Sequence, residues 1–198
     1  MRSTGYGGWR SACIRTARAR ELNPPIEAPR LRLEPLDASH AEQLFGPLQN
    51  LAIYAWINEQ PPKSVAELAE SWLATAKRLS TKYDVALVSW VVRRSADGAY
   101  AGKLDVDING AQIATNVGWL FFPPFWGKGY ASEAVSALAE HLTRAGVSEQ
   151  RVYVTLGNGA SARVAEKAGF AFTRVIPGND RFRGVVYDDL EFVRGRKG

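Results

Sequence analysis

The stretch from Gln112 to Ala145 restricts the fold more than any other part of the chain. A β-rich run over Gln112–Phe122 stops at Pro123 and Pro124, which have no N–H to donate to a strand ladder. Gly127 and Gly129 follow, and the pattern then turns helical over Tyr130–Ala145, with Gly146 placed to close the helix. The next β-rich run is Arg151–Thr155. Strand, helix and strand in that order predict a parallel pair inside a larger sheet.

Around this unit the turns are short and the neighbours antiparallel. Asp84–Arg94 and Tyr100–Ile108 are joined through Asp97-Gly98, and Asn109-Gly110 leads into Gln112–Phe122. In the middle run Leu104, Val106 and Ile108 share one face, and Lys103, Asp105 and Asp107 the other. Upstream, Leu31, Leu33 and Leu36 mark a first strand. Asp37 and Ser39 offer caps, and Ala41, Leu44, Phe45 and Leu48 fit one helical face. Ser64 and Glu67 have capping-box spacing before Val65, Leu68, Trp72 and Leu79. Downstream, Ala160–Ala168 reads as a helix stopped at Gly169, and Phe170–Ile176 and Val185–Val193 as closing strands. The order β-α-α-β-β-β-α-β-α-β-β makes a mixed α+β domain.

With 46% hydrophobic and 23% charged residues in 198, a single domain with a real core is expected over residues 30–198. No apolar run approaches the ~20 residues of a membrane helix. Cys13 is the one cysteine and His40 and His141 the only histidines, so neither an internal disulfide nor a metal site is expected. The net charge of +5 is concentrated at the start: residues 1–30 carry six Arg and two Glu, the remainder 19 basic and 18 acidic residues. The body lacks a basic stripe, which argues against nucleic acid as the main partner. Residues 1–29 read as a basic, disordered extension or as sequence upstream of the true start, with an Arg-rich transit peptide as the other reading. They hold no apolar core of a secretory signal, which makes the cytoplasm the default compartment.

Two segments carry the chemistry. In Trp119-Leu-Phe-Phe-Pro-Pro-Phe-Trp126-Gly-Lys-Gly129-Tyr-Ala131-Ser-Glu-Ala134 a strand runs through glycines straight into a helix start. Backbone N–H groups can approach a ligand there, and the helix adds orphan donors and a positive dipole end, which together suit phosphate. The same glycines also serve a plain tight turn. The pattern is neither a P-loop nor a dinucleotide fingerprint. In Asn158-Gly-Ala-Ser161-Ala-Arg-Val-Ala-Glu166-Lys-Ala-Gly169-Phe170, Asn158 and Ser161 stand where a strand gives way to a helix, positions that caps also occupy.

In this order and spacing, Trp126-Gly-Lys-Gly-Tyr-Ala131, Asn158-x-x-Ser161 and Glu166-Lys-x-Gly-Phe170 resemble the GNAT N-acetyltransferase superfamily, and within it the RimJ/RimL-type branch. Leu31–Leu36 and Tyr187–Leu190 look like the family's opening and closing strands, so the resemblance covers about residues 30–194. It implies a three-layer fold, in which a mostly antiparallel twisted sheet with a splayed parallel pair is flanked by about four helices. It implies acetyl-CoA as cosubstrate and no metal. The amides of Lys128, Gly129 and Ala131 would hold the pyrophosphate in a loop completed by Trp126, Gly127, Tyr130 and Ser132. The pantetheine arm would pair along Leu120, Phe121 and Phe122 and with Asn158, and an N–H near Leu120 would face the oxyanion. Ser161 would protonate the leaving thiolate.

Two positions depart from the family pattern. The Tyr acid that many members carry seven residues after the Asn is Ala165 here, which leaves Ser161 for that role; the Glu base of some members corresponds to Asn116, which cannot take a proton. Near pH 7 an α-amine is about 10–20% neutral and a Lys amine about 0.1% or less, so a weak base favours an N-terminal or other low-pKa acceptor. Asp105 and Asp107 are either solvated strand-face carboxylates or act through water. Trp56, Trp119, Phe121, Phe125 and Tyr130 are core residues or the lining of an acceptor cleft, with Ile53–Pro62 as the variable loop.

Three functional classes follow. The first is an acetyltransferase acting on a protein N-terminus, or in a close variant on an aminoglycoside-type antibiotic or other small amine, as monomer or homodimer. The others are a CoA-binding module without catalysis and a nucleic-acid binder using the basic tail.

Overall fold

The computed structural model describes residues 18–76 and 85–195, so Cys13, Leu79 and Asp84 lie outside the described residues. Eight strands form one sheet: β1 Ile26–Glu27, β2 Leu31–Pro35, β3 Val85–Arg94, β4 Tyr100–Asn109, β5 Ile113–Phe121, β6 Glu149–Thr155, β7 Ala171–Phe182 and β8 Val185–Gly195. Their order across the sheet is β1-β2-β3-β4-β5-β6-β8-β7. Every neighbouring pair is antiparallel except β5 with β6, which the crossover through a helix makes parallel. The α-helices are α1 Ala41–Phe45, α2 Val65–Ala76, α3 Tyr130–Arg144 and α4 Gly159–Lys167.

Helix α3 buries Ala134, Val135, Leu138, Ala139 and Leu142, a stripe at helical spacing, against one face of the sheet. Leu33, Val88, Trp90, Leu104, Val106 and Phe192 meet it from the strands. On the opposite face α1 and α2 bring Leu44, Leu68 and Trp72 onto Val91, Leu120 and Phe122. The expected mixed three-layer arrangement results. On β4 the alternation read from the sequence holds: Leu104, Val106 and Ile108 are buried, and Lys103, Asp105 and Asp107 look to the other side.

Several local details differ from expectation. The capping box at Ser64 is half formed: Ser64 Oγ accepts the Glu67 N–H at 3.1 Å, but the Glu67 carboxylate takes the Lys63 N–H at 2.8 Å. Strand β7 runs on to Phe182, past Pro177 and Gly178, because its register with β8 shifts between Ile176 and Asp180 and absorbs them.

The larger correction concerns residues 18–29, expected to belong to a disordered extension. A helical turn over 18–21 and strand β1 put Ala19, Leu22 and Ile26 into the main core. Trp90 Nε1 donates to the Pro24 carbonyl at 2.9 Å, and His141 Nε2 meets the Leu22 carbonyl at 2.9 Å. Arg18 donates to Gln112 Oε1 at 2.9 Å and to the Ala145 carbonyl. The basic composition hid three apolar side chains spread over one helical turn, a loop and a two-residue strand, elements too short for either period to show. Leu22→Ala should lower stability by about 2–5 kcal/mol, the range for a fully buried leucine, read as a shift in the urea midpoint with an unchanged slope.

Candidate functional site

Strands β5 and β6 pair only at Ile113↔Glu149 and Ala114↔Gln150. On its other side β5 stays paired with β4 as far as Phe121, with an irregularity next to Thr115, where Asp107 faces Asn116 and Ile108 faces Ala114. Past that point β5 and β6 diverge, and the β6 side of β5 carries unpaired backbone groups.

The register says which groups these are. The Phe122 N–H donates to the Ala101 carbonyl at 2.9 Å, and a Cβ placed on Gly102 would lie 2.1 Å from the Leu120 carbonyl oxygen. Leu120 and Phe122 therefore point their backbone groups at β4, and by the alternation of an antiparallel ladder Trp119 and Phe121 point theirs into the splay. The N–H expected near Leu120 is thus displaced by one residue to either side, and Leu120 contributes its side chain. Of the two outward carbonyls, that of Phe121 accepts the Trp126 indole N–H at 2.6 Å.

The loop after β5 delivers the second half of the site. Gly127 and Gly129 have φ of 72° and 79°, a region that side chains strain to occupy. Gly129 caps α3 with no side chain, and the first turn-to-turn bond runs from the Glu133 N–H to the Gly129 carbonyl at 3.1 Å. The N–H groups of Tyr130, Ala131 and Ser132 thus form the open end of α3. Lys128 folds back to the Pro124 carbonyl at 2.8 Å.

Between the two sheet halves lies a cavity of about 860 Å³. It brings together Asn116, Leu120, Asn158 and Ser161, although 45 residues of sequence separate Asn116 from Ser161. Phe121 and Phe122 pack instead into the two cores, and the 126–132 loop lies outside the cavity. Of the five aromatic candidates Trp56 and Trp119 line the cavity, while Phe121, Phe125 and Tyr130 pack into the cores. The expected variable loop does form part of the wall, through Tyr54, Trp56 and Ile57 among others. Trp56 also closes against Gly157 at the end of β6.

Asn158 is the N-cap of α4, its Oδ1 accepting the Ser161 N–H at 3.2 Å, and this holds Ser161 in the first turn at the cavity wall. Ala165 is fully buried in the main core and offers nothing to the cavity. Sequence reasoning gave no role to Lys103 or to Glu59 of the variable loop and missed Thr155, Asn179, Asp180 and Asp189, which also line it; the last three come from β7 and β8, and only the sheet order carries them there.

The charges in the cavity are unequal partners. Both Asp105 oxygens are engaged, one by Ser89 Oγ and one by Lys103 Nζ, each at 2.7 Å. Burial works against the Lys103 ammonium, but Asp105 and Glu59 outweigh it and hold its pKa above the ordinary lysine value. Asp107, paired across the strands with Asn116, is pushed up by burial; the hydrogen bond from Asn116 opposes this and the charge of Asp105 adds to it. Burial likewise raises Asp189, against the hydrogen bond from Asn179 at 2.8 Å. Among the described residues no three His, Cys, Asp or Glu side chains are grouped as a metal would need, and no helix is long and apolar enough to cross a membrane.

A family model for the acetyltransferase (GNAT) domain matches residues 30–171. The chain belongs to the GNAT acetyltransferase family. The Bacillus subtilis (strain 168) protein YkkB is 25% identical over 154 residues, covering 74% of this chain and 85% of its own. Among solved structures, RimL, an alpha-N-protein acetyltransferase of ribosomal L7/L12 in complex with coenzyme A, aligns with a TM-score of 0.77 and 21% identity over 86% of this chain and 97% of that one. The microcin C7 self-immunity acetyltransferase MccE, in complex with acetyl-CoA and AMP, aligns with a TM-score of 0.73 and 17% identity over 84% and 93%. At these identities the likeness is one of fold.

In this acetyltransferase β4 and β5 approach at Gly102 without room for a Cβ, on the side of β5 away from the splay. Gly102→Ala should force the strands apart and cost about 1–3 kcal/mol, measured by denaturant unfolding.

Proposed function

We propose that this acetyltransferase moves the acetyl group of acetyl-CoA onto a primary amine by direct attack, with a protein N-terminus as the leading acceptor. The observation that carries the reading is the early end of the β5–β6 pairing, which leaves a strand edge running from the phosphate-type loop into the acceptor cavity. Acetyl-CoA supplies the activated thioester. Two of the similar structures support it as the donor, since RimL holds coenzyme A and MccE acetyl-CoA.

Each part of the chain has a task. The N–H groups of Lys128, Gly129 and Ala131 take the pyrophosphate at the open end of α3, within the loop formed by Trp126, Gly127, Tyr130 and Ser132. The outward N–H and carbonyl of Trp119 and the outward N–H of Phe121 take the amides of the arm in place of a parallel strand, the Phe121 carbonyl being held by the Trp126 indole, and one of the two N–H groups faces the carbonyl oxygen as it gains charge. Asn158 sets Ser161, which gives its proton to the departing sulfur. The amine must lose a proton as its bond to the acetyl carbon forms. Asn116 accepts none, and Asp105 is committed to Ser89 and Lys103, so Asp107 takes it, through water.

The acceptor choice rests on the amine. A half-buried Asp107 is a modest base, which suits an α-amine better than a lysine side chain, and RimL, one of the neighbours of the same fold, is named for an α-amine of a ribosomal protein. One observation favours a second acceptor, a small cationic amine: six carboxylates and only two lysines line the cavity. Its volume lies within the range of small-molecule sites, about 300–1,000 Å³.

Thiol release from acetyl-CoA, measured against N-terminal peptides, polyamines and aminoglycosides, tests the reading. Turnover with one class, at least tenfold slower in Ser161→Ala, is expected; acetyl-CoA binding with no turnover on any amine would make the chain a binding module. The pH profile tests Asp107. Only its ionised form accepts a proton, and its pKa is raised, so activity should fall as pH drops through that value as well as through the pKa of the acceptor amine. Asp107→Asn should be about a hundredfold slower and lose the carboxylate limb while keeping the amine limb.

A further inference from the structure

Arg30 stands in the tight turn between β1 and β2, outside every segment assigned above. Its backbone and side chain are committed to one place. The Arg30 N–H donates to Glu133 Oε1 at 2.7 Å and Arg30 Nε to Glu133 Oε2 at 2.6 Å. A terminal nitrogen donates to the Lys128 carbonyl at 3.2 Å, and the guanidinium lies 4.6 Å from the centre of the Tyr130 ring. On the far side its own carbonyl accepts the Ser95 N–H at 2.9 Å.

We infer that Arg30 is a positioning residue for the acetyl donor, holding the Lys128–Gly129 peptide and the first turn of α3 in the geometry that receives the pyrophosphate. The inference rests on the donor loop proposed above.

Two physical effects support it. The Lys128 carbonyl and the Gly129 N–H belong to one trans peptide unit and point in opposite directions. By drawing the carbonyl outward, Arg30 turns the Gly129 N–H to the opposite side, toward the loop's concave face. Gly127 and Gly129 lie at positive φ, where glycine readily adopts other conformations, so the loop's own sequence does not secure this direction. The second effect is electrostatic. Glu133 sits in the first turn of α3, where an unpaired carboxylate would repel phosphate and compete for the open N–H groups. Arg30 binds it in a two-point pair in which Glu133 is largely buried.

The strap that carries Arg30 is itself fixed along the whole of α3. Arg18 holds the Ala145 carbonyl beyond one end, the Leu22 carbonyl meets His141 near it, and Arg30 holds the other end. The donor loop is thereby referred to the N-terminal segment of the chain and not only to β5.

The test compares two donors, acetyl-CoA and S-acetylpantetheine, which lacks the pyrophosphate, on wild type and Arg30→Ala. The expected result is a rise of at least tenfold in KM for acetyl-CoA, kcat within about threefold, and unchanged kcat/KM for S-acetylpantetheine. Adding Glu133→Gln to Arg30→Ala should recover part of the acetyl-CoA KM, because it removes the charge of a carboxylate that keeps the backbone N–H of residue 30 but has lost the guanidinium. Equal losses with both donors would mean that Arg30 merely supports the fold, and an unchanged KM for acetyl-CoA would remove it from donor binding; either overturns the inference. If Arg30→Ala does not fold, Arg30→Lys, which keeps the charge but not the planar fork, carries the same comparison. Wild-type protein that fails to bind CoA in calorimetry would overturn the donor loop itself, whereas CoA binding that Arg30→Ala leaves intact overturns only the role of Arg30.

Discussion

Strands β5 and β6 begin as a parallel pair and part after two residues, and the site is organised by that separation. A parallel pair needs a crossover, and here the crossover is α3, so the loop entering α3 and the strand leaving it are held on opposite sides of one opening. The irregularity beside Thr115 turns β5 while its ladder with β4 continues, so the strand keeps its support on one side as it loses it on the other. Unpaired backbone groups in a protein interior are costly unless something else binds them. At this opening the outward groups of Trp119 stand at the cavity wall, in keeping with a ligand that itself carries amides, while the Phe121 carbonyl is already taken by the Trp126 indole.

The same opening decides the electrostatics. Lys103, Asp105 and Asp107 occupy one face of β4, a pattern that on an open sheet would be three solvated side chains. Facing a cavity under α2, Lys103 and Asp107 lose water while Asp105 keeps part of its exposure, and their fates diverge according to partners. Asp105 is satisfied twice over and stays committed, Lys103 is kept charged by Asp105 and Glu59, and Asp107 is left with Asn116 and a raised pKa. Three residues of one strand thus come to differ through their neighbours on β3 and β5 and in the loop before α2.

How legible the molecule was depended on the range of the interaction concerned. Helices α2, α3 and α4 and the hairpin of β3 and β4 could be read because apolar spacing and turn residues are local signals. Trp126–Ser132 and Asn158–Ser161 were legible for the same reason, since each is a strand end running into a helix start. Residues 18–29 were not: Ala19, Leu22 and Ile26 are buried only because a groove between α3 and the sheet exists to receive them. The direction of the Leu120 backbone was not legible either, because it depends on which β4 residue stands opposite.

By itself, then, the sequence determined the family, the element order and the two strand-to-helix segments to which we assign the donor, all carried by residues within a few positions of one another. The tertiary structure alone decided that Asn116, Asp107 and Ser161 meet at one cavity, that Trp119 and Phe121 face the opening, and that Arg30 reaches the loop about a hundred residues away. The reason is physical: propensity and periodicity act along the chain over a turn or two, whereas strand register, burial and the pairing of charges are properties of what the fold places side by side.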